Sequence, residues 1–413
     1  MRSFKETVMS TEAVLRPAPE DSPRESDPWR ATLAGLSASL VGLGLARFAY
    51  TPLLPAIVQA HWFDAAAAAY LAAANLAGYL AGALVAAPLS ARFAARSVLR
   101  AMMLLSTITL FACAWPVNFT WFFAWRFLAG VGGGVLMVLA APTVLPHVAP
   151  ARRGLAGGAI FLGVGLGIAA SGSLVPMLLQ QGLTTTWLAL GSLSLALTLL
   201  AWLAWPQPEA ATPAKRAHAD HRLPVAALRT IYLEYALNAV GLVPHMIFLV
   251  DFVARGLGQG IAAGARMWVL FGIGAVLGPV AGGLVADRWG FRTALRLAFV
   301  LQIAAAWLPA IGLAGAWLAV SSVVMGAFTP GIVGLVLGRL HELLAHHPAS
   351  QRLAWSRATT GFALMQAAAA YGMSYLLVRG GGQHALLFAL GGGAVALALL
   401  IDLVSPAWLR RRA

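Results

Sequence analysis

Twelve stretches of the 413-residue chain run for about 20 residues or more with little charge, and this pattern limits what the chain can fold into. They lie at 31–59, 65–89, 97–116, 119–148, 154–180, 185–205, 224–253, 264–285, 293–313, 316–344, 354–378 and 384–404. Each is long enough to cross a bilayer as a helix. A chain solvated by lipid must satisfy its backbone internally, so only helices or a closed barrel can span. Barrel strands alternate over about ten residues. These runs are continuous and rich in Ala, Leu and Gly, which selects helices. Composition agrees: 10% of the residues are charged, against about 25% in a soluble domain.

The net charge of +14 suggests nucleic acid as a partner, but its placement argues against that. The basic residues sit in short clusters between apolar runs, and the clusters alternate in side. One side receives the five Lys and Arg residues up to Arg30, then Arg92, Arg96 and Arg100, then Arg152 and Arg153. It also receives Lys215, Arg216, Arg222 and Arg229, then Arg288, Arg292 and Arg296, then Arg339, Arg352 and Arg357, and finally Arg410 to Arg412. That side holds 23, and the other holds only Arg255, Arg266 and Arg379. Excess Lys and Arg mark the cytoplasmic side, so both termini are expected there, in a bacterial inner membrane. Residues 1–30, with Pro17, Pro19, Pro23 and Pro28 and no apolar core of a signal peptide, read as a disordered cytoplasmic tail. A six-helix bundle at 31–205, a cytoplasmic linker at 206–223, a second six-helix bundle at 224–404 and a basic tail at 405–413 complete the expected organisation. Cys113 is the only cysteine, so no intramolecular disulfide can form.

The two halves repeat. Gly78 and Gly82 precede Arg92, Arg96 and Arg100; Gly274 and Gly278 precede Arg288, Arg292 and Arg296; every member is shifted by 196 residues. Parallel repeats of this kind build transporters with the solute site between the halves. The expected fold class is therefore an all-α integral membrane protein, its twelve helices in two pseudo-symmetric bundles.

The stretch Gly283-Leu284-Val285-Ala286-Asp287-Arg288-Trp289-Gly290-Phe291-Arg292 is a tight turn with one acid among bases. Asp287 can accept from a neighbouring helix N-terminus, where the helix dipole favours negative charge, and so latch the halves. The stretch resembles the loop signature of the major facilitator superfamily, which implies gating roles for Asp287, Arg288 and Arg292. In the first half Arg92 and Arg96 occupy the matching positions, but Ala91 replaces the acid and Ala94 the glycine. The second half is thus expected to carry more of the gating.

Two arginines fall inside helices. Arg126 opens Arg126-Phe127-Leu128-Ala129-Gly130, and a guanidinium at membrane depth costs about 2.5–3.5 kcal/mol, so it needs a wet cavity or a partner. Arg47 shares a helix face with Tyr50 and Thr51 at i, i+3 and i+4, next to Pro52 and Pro55, which free backbone carbonyls. Together with Asn75-Leu76-Ala77-Gly78-Tyr79, this segment closely resembles the YbfB/YjiJ-type branch of the superfamily. The resemblance implies a transporter whose helices 1, 4, 7 and 10 line a central cavity. It implies no particular substrate.

On the seventh run Glu234, Asn238, Gly241 and His245 form a polar stripe at i, i+4, i+7 and i+11. Glu234 and His245 are candidate proton carriers; Glu234 is equally a candidate ion partner for Arg47 or Arg126. Asp251 and Asp402 fall near helix ends and read as interfacial. Arg47 and Arg126 together point to a small organic anion such as a carboxylate. Tyr50, Asn75, Tyr79, Asn238 and His245 are expected to orient it. Efflux of an amphipathic metabolite or drug is the alternative within transport, and a non-transporting sensor or scaffold the alternative outside it. No phosphate-binding loop or nucleophile constellation is present, so neither a cofactor nor an enzymatic activity is expected. The expected partners are the solute, lipid and protons, with the chain a monomer.

Overall fold

The computed structural model describes residues 28–149, 152–206 and 223–410. The expectations for the amino-terminal tail, most of the linker and the last three residues fall outside these. Twelve helices are long and apolar enough to span a membrane, as the runs predict. The first six are α1 Pro28–Gln59, α2 Ala65–Arg92, α3 Ala95–Ala112, α4 Phe119–His147, α5 Ala156–Leu179 and α6 Leu183–Trp202. The second six are α7 Val225–Gly256, α8 Gly260–Trp289, α9 Phe291–Ala310, α10 Ala316–Leu343, α11 Leu353–Arg379 and α12 His384–Ser405. Among the described residues there is no strand.

Boundaries follow local chemistry. Asp64 caps α2 by accepting from the Ala67 N–H at 2.7 Å, and Asn118 caps α4 by accepting from the Trp121 N–H at 2.8 Å. α8 and α9 are separated by Gly290 alone, whose φ of +80° is a backbone that L side chains rarely adopt.

Lipid supplies no hydrophobic force between spans, so close helix approach rests on small residues. A Cβ on Gly78 would stand 1.9 Å from the Phe127 carbonyl oxygen, and one on Gly82 2.2 Å from that of Val131. In the second half a Cβ on Gly274 would stand 2.0 Å from the Val323 oxygen, and one on Gly278 1.9 Å from that of Ala327. Gly130 against Asn75 is matched by Gly326 against Phe271. Every one of these partners is displaced by the same 196 residues, so the repeat governs packing as well as sequence.

The halves meet along α5–α8 and α2–α11. Gly165 packs on Val276, Gly272 on Ala169 and Gly172 on Val269, so each step up α5 matches an equal step down α8. Trp268 donates Nε1–H to Ser171 at 3.0 Å, Ser374 donates to the Ala69 carbonyl at 3.3 Å, and the Tyr70 and Tyr371 rings lie tilted with centroids 6.2 Å apart. These contacts lie between mid-depth and the face poor in Lys and Arg. Nearer the basic face of the same seam, nothing comes within 4 Å of a Cβ placed on Gly158 or Gly283.

Two spans are not regular α-helices. Leu40–Phe48 of α1 and two short segments of α7, Pro244–Phe248 and Phe252–Gly256, wind as π-helix. Such turns shift the side-chain register and recur at functional sites.

Candidate functional site

At mid-depth α1, α2, α4 and α7 enclose a cavity of about 20 Å³ lined by Arg47, Phe48, Tyr50, Thr51, Ala72, Asn75, Leu76, Arg126, Met246 and Ile247. That volume holds about a single water, so the centre has no room for a solute in this conformation. The lining holds two arginines and no carboxylate.

Arg126, 2% exposed, donates Nη1–H to the Ala46 carbonyl at 2.7 Å and lies 4.3 Å from the Tyr50 ring centroid. The Ala46 carbonyl lies in the π-helical segment of α1. A hydrogen bond from a charged donor contributes about 1.5–3 kcal/mol and a desolvated cation–π contact about 2 kcal/mol, which offsets the insertion cost. Arg47 donates Nη2–H to the Gln366 side-chain oxygen of α11 at 2.7 Å. Its guanidinium lies 4.9 Å from the Tyr79 ring centroid and 5.0 Å from that of Phe48. Both cations are therefore held by carbonyls and rings and keep their charge uncompensated. Asn75 donates Nδ2–H to the Arg126 carbonyl at 3.1 Å; Asn75 Oδ1 and Arg126 Nε are buried with no partner. An acceptor and a charged donor thus stand free at the cavity.

The positions 196 residues on from Arg47 and Arg126 are Val243 and Ser322, so the repeat does not extend to this charge. The second half answers with Gln366, Met246 and Ile247. Thr51 donates to the Met246 carbonyl at 2.6 Å, which ties α1 to α7 across the site. Tyr50 donates to the Ala68 carbonyl at 2.9 Å and forms part of the wall. Gln366 was not among the residues singled out from sequence. A lone amide in the middle of an apolar run was the available signal.

Of the expected site residues, Arg47, Tyr50, Asn75, Tyr79 and Arg126 come together here. Asn238, His245 and Glu234 do not line this cavity. Their common face turns into the second bundle. Asn238 donates Nδ2–H to Gln302 of α9 at 2.7 Å; His245 Nε2 lies 2.8 Å from the Ser321 hydroxyl of α10, with Phe388 of α12 edge-on. Glu234 is 3% exposed and makes no ion pair with Arg47 or Arg126; the nearest cations are those of α9 and α10. Equal spacing put these residues on one face, but periodicity does not say which neighbour a face meets.

Asp287 and Arg288 are exposed and make no hydrogen bond or ion pair among the described residues, so Asp287 is not latched to a helix end in this conformation. Arg92 and Arg96 likewise form no ion pair among them. Arg292 instead donates to Asp402 of α12 at 3.1 Å, and Arg296 also pairs with Asp402. Asp402, expected to be interfacial, thereby bolts α12 to α9. Asp251, also expected near a helix end, is enclosed by protein. It is fully buried, pairs with Arg255 one turn on, and lies 2.8 Å from His384 Nε2 of α12. The π-helical turn Phe252–Gly256 follows Asp251 directly, and no sequence period reveals it.

The model of a protein family described as "Uncharacterised MFS-type transporter YbfB" matches residues 39–403. Among solved structures, the nucleoside transporter NupG, crystallised as a point mutant, superposes with a TM-score of 0.73 at 14% identity, over 91% of this chain and 99% of that one. A D-xylose-proton symporter superposes with a TM-score of 0.67 at 17% identity, over 91% of this chain and 96% of that one. At these identities the likeness is one of fold. No curated protein matches the chain in sequence.

Proposed function

Because the chain belongs to the YbfB-type family of major facilitator superfamily transporters, a multi-pass membrane family, we propose that it moves a small organic anion, such as a carboxylate, between its two halves by alternating access. The observation that carries the anion is the pair Arg47 and Arg126, which face one small cavity with no carboxylate in its lining. Asn75, Tyr50 and Tyr79 orient the solute, and Gln366 reaches Arg47 from the second half. The D-xylose-proton symporter is coupled to protons by its description, and we take this chain to be coupled likewise. We further propose that the face rich in Lys and Arg, with both termini, lies in the cytoplasm of a bacterial cell and the chain in its inner membrane, a reading that the charge excess supports. The protein works as a monomer.

Thermal unfolding of the purified protein against a panel of small organic acids, sugars and amines tests this, with Arg47→Ala alongside. An acid that raises the melting temperature of the wild type and not of Arg47→Ala supports the reading. Stabilisation by neutral or cationic compounds alone refutes the anion. Export of an amphipathic compound then takes its place, a reading favoured by the wall of Phe48, Tyr50, Leu76 and Met246.

A further inference from the structure

A second cavity, of about 130 Å³, lies at the basic end of the second bundle, remote from Arg47 and Arg126. α7, α9, α10 and α12 line it with Thr230, Glu234, Arg292, Arg339, Asp402 and Ser405. It has room for several waters. Its charges are unequally matched. Asp402 takes both Arg292 and Arg296, and Glu342 takes Arg339 at 2.8 Å. Two carboxylates thereby use three arginines. Glu234, the third carboxylate, is 3% exposed, and its Oε1 has no hydrogen-bond partner. Such a group is costly to bury as a bare anion, and the arginines face it across the cavity without touching it.

The geometry points to Glu234 as the binding site of the coupling proton, reached from the cytoplasm through this cavity and separate from the solute cavity. The word "coupling" rests on the transport reading above; the binding of a proton does not. The groups facing Glu234 are Arg292 and Arg296 of α9, Arg339 and Glu342 of α10, and Asp402 of α12. α11, the remaining large neighbour of α7, brings Arg357 near Tyr232 and apolar rings at Trp355 and Phe362 onto Tyr235. With Glu234 ionised, the three carboxylates and three arginines balance. With a proton on Oε1 the cluster carries one net positive charge. Arg292, the second residue of α9, follows Gly290 closely and pairs with Asp402. Proton occupancy therefore changes the net charge beside the first turn of α9. His245 and Asn238 continue the stripe deeper into the bundle, each with one buried polar atom free, as has Gln302.

Two measurements test this. The first is an infrared pH titration of the protein in phosphatidylcholine–phosphatidylglycerol vesicles. One protonated-carboxyl band is expected in the wild type and in Glu342→Gln, and its loss in Glu234→Gln. A band unchanged in Glu234→Gln overturns the proposal. The second uses the acid identified by thermal stabilisation. One pH unit drives about tenfold accumulation at one proton per solute. Glu234→Gln is expected to lose that accumulation while still exchanging solute across the membrane without a gradient, whereas Arg47→Ala loses both. Tenfold accumulation by Glu234→Gln overturns the proposal. If no solute binds the wild type, the transport reading fails, and the infrared titration still decides the proton site.

Discussion

Gly274→Ala is expected to destabilise the protein by about 1–3 kcal/mol, the usual range for a forced contact in a packed interior. The figure follows from the geometry. The added Cβ would stand 2.0 Å from the Val323 carbonyl oxygen and 2.9 Å from the Ala327 nitrogen, where ordinary contact begins at 3.4 Å. Both partners are backbone of α10, so no side chain can swing aside. α8 and α10 must separate by about 1.4 Å, or one of them must bend. Gly283→Ala, nine residues down the same helix, provides the internal control. Nothing lies within 4 Å of its Cβ, and alanine is favoured over glycine inside a helix by about 1 kcal/mol. The two variants should therefore differ by about 2–4 kcal/mol, with opposite signs relative to wild type. Gly78→Ala, the repeat equivalent, should match Gly274→Ala. The assay is unfolding of the purified protein by sodium dodecyl sulfate in mixed micelles, followed by tryptophan fluorescence. A Gly274→Ala midpoint equal to that of wild type refutes the reasoning, as does a Gly283→Ala variant that is equally weakened.

Arg126→Lys should weaken binding of the stabilising acid about 10-fold or more, since loss of a charged hydrogen bond costs about 1.5–3 kcal/mol, and a lysine cannot both reach the Ala46 carbonyl and cover the Tyr50 ring as the planar guanidinium does. Isothermal titration with the acid measures it, and unchanged affinity argues against a solute role. Asp251→Ala should be more damaging than Asp402→Ala. The first strands the buried His384 beside a fully buried position, where breaking a buried pair costs about 3–5 kcal/mol, together with the partly exposed Arg255; the second strands Arg292 and Arg296, whose side chains are about a third exposed. Unfolding midpoints rank the two. Thr51→Val removes the 2.6 Å bond from α1 to the Met246 carbonyl, worth about 1 kcal/mol, and should shift the balance of conformations about fivefold. Rates of maleimide labelling at Gly283→Cys report it, because the native Cys113 is buried and stays silent.

Much of this architecture could be read before any coordinates. Twelve apolar runs, the basic clusters between them and the 196-residue repeat were enough for the spans and the pairing of halves. The convergence of Arg47, Tyr50, Asn75, Tyr79 and Arg126 was legible because charge and aromatic rings are rare in such runs. What escaped depended on packing. Gln302, Ser321, Gln366 and His384 carry no local signal stronger than a single polar side chain in an apolar helix. The stripe on α7 was correctly grouped but looks into its own bundle, because a face has a direction only once its neighbours are placed. Asp251 and Asp402 sit near helix ends by count, but their partners on other helices could not be read from that count.

The shared spacing between the two halves has an evolutionary reading. Contacts made by Asn75 through Val131 recur at Phe271 through Ala327 with no residue gained or lost. That interval includes a whole span, α3 or α9, and the two loops that flank it. These loops touch neither cavity and would ordinarily be free to drift in length. Here they behave as a ruler between α2 and α4, and again between α8 and α10. If the halves descend from one duplicated ancestor, insertions in these loops were rejected in both copies while the chemistry at Arg47 and Arg126 diverged from Val243 and Ser322. The scaffold kept its measure, while the winding of α1 and the side chains at the site diverged from their counterparts in α7 and α10.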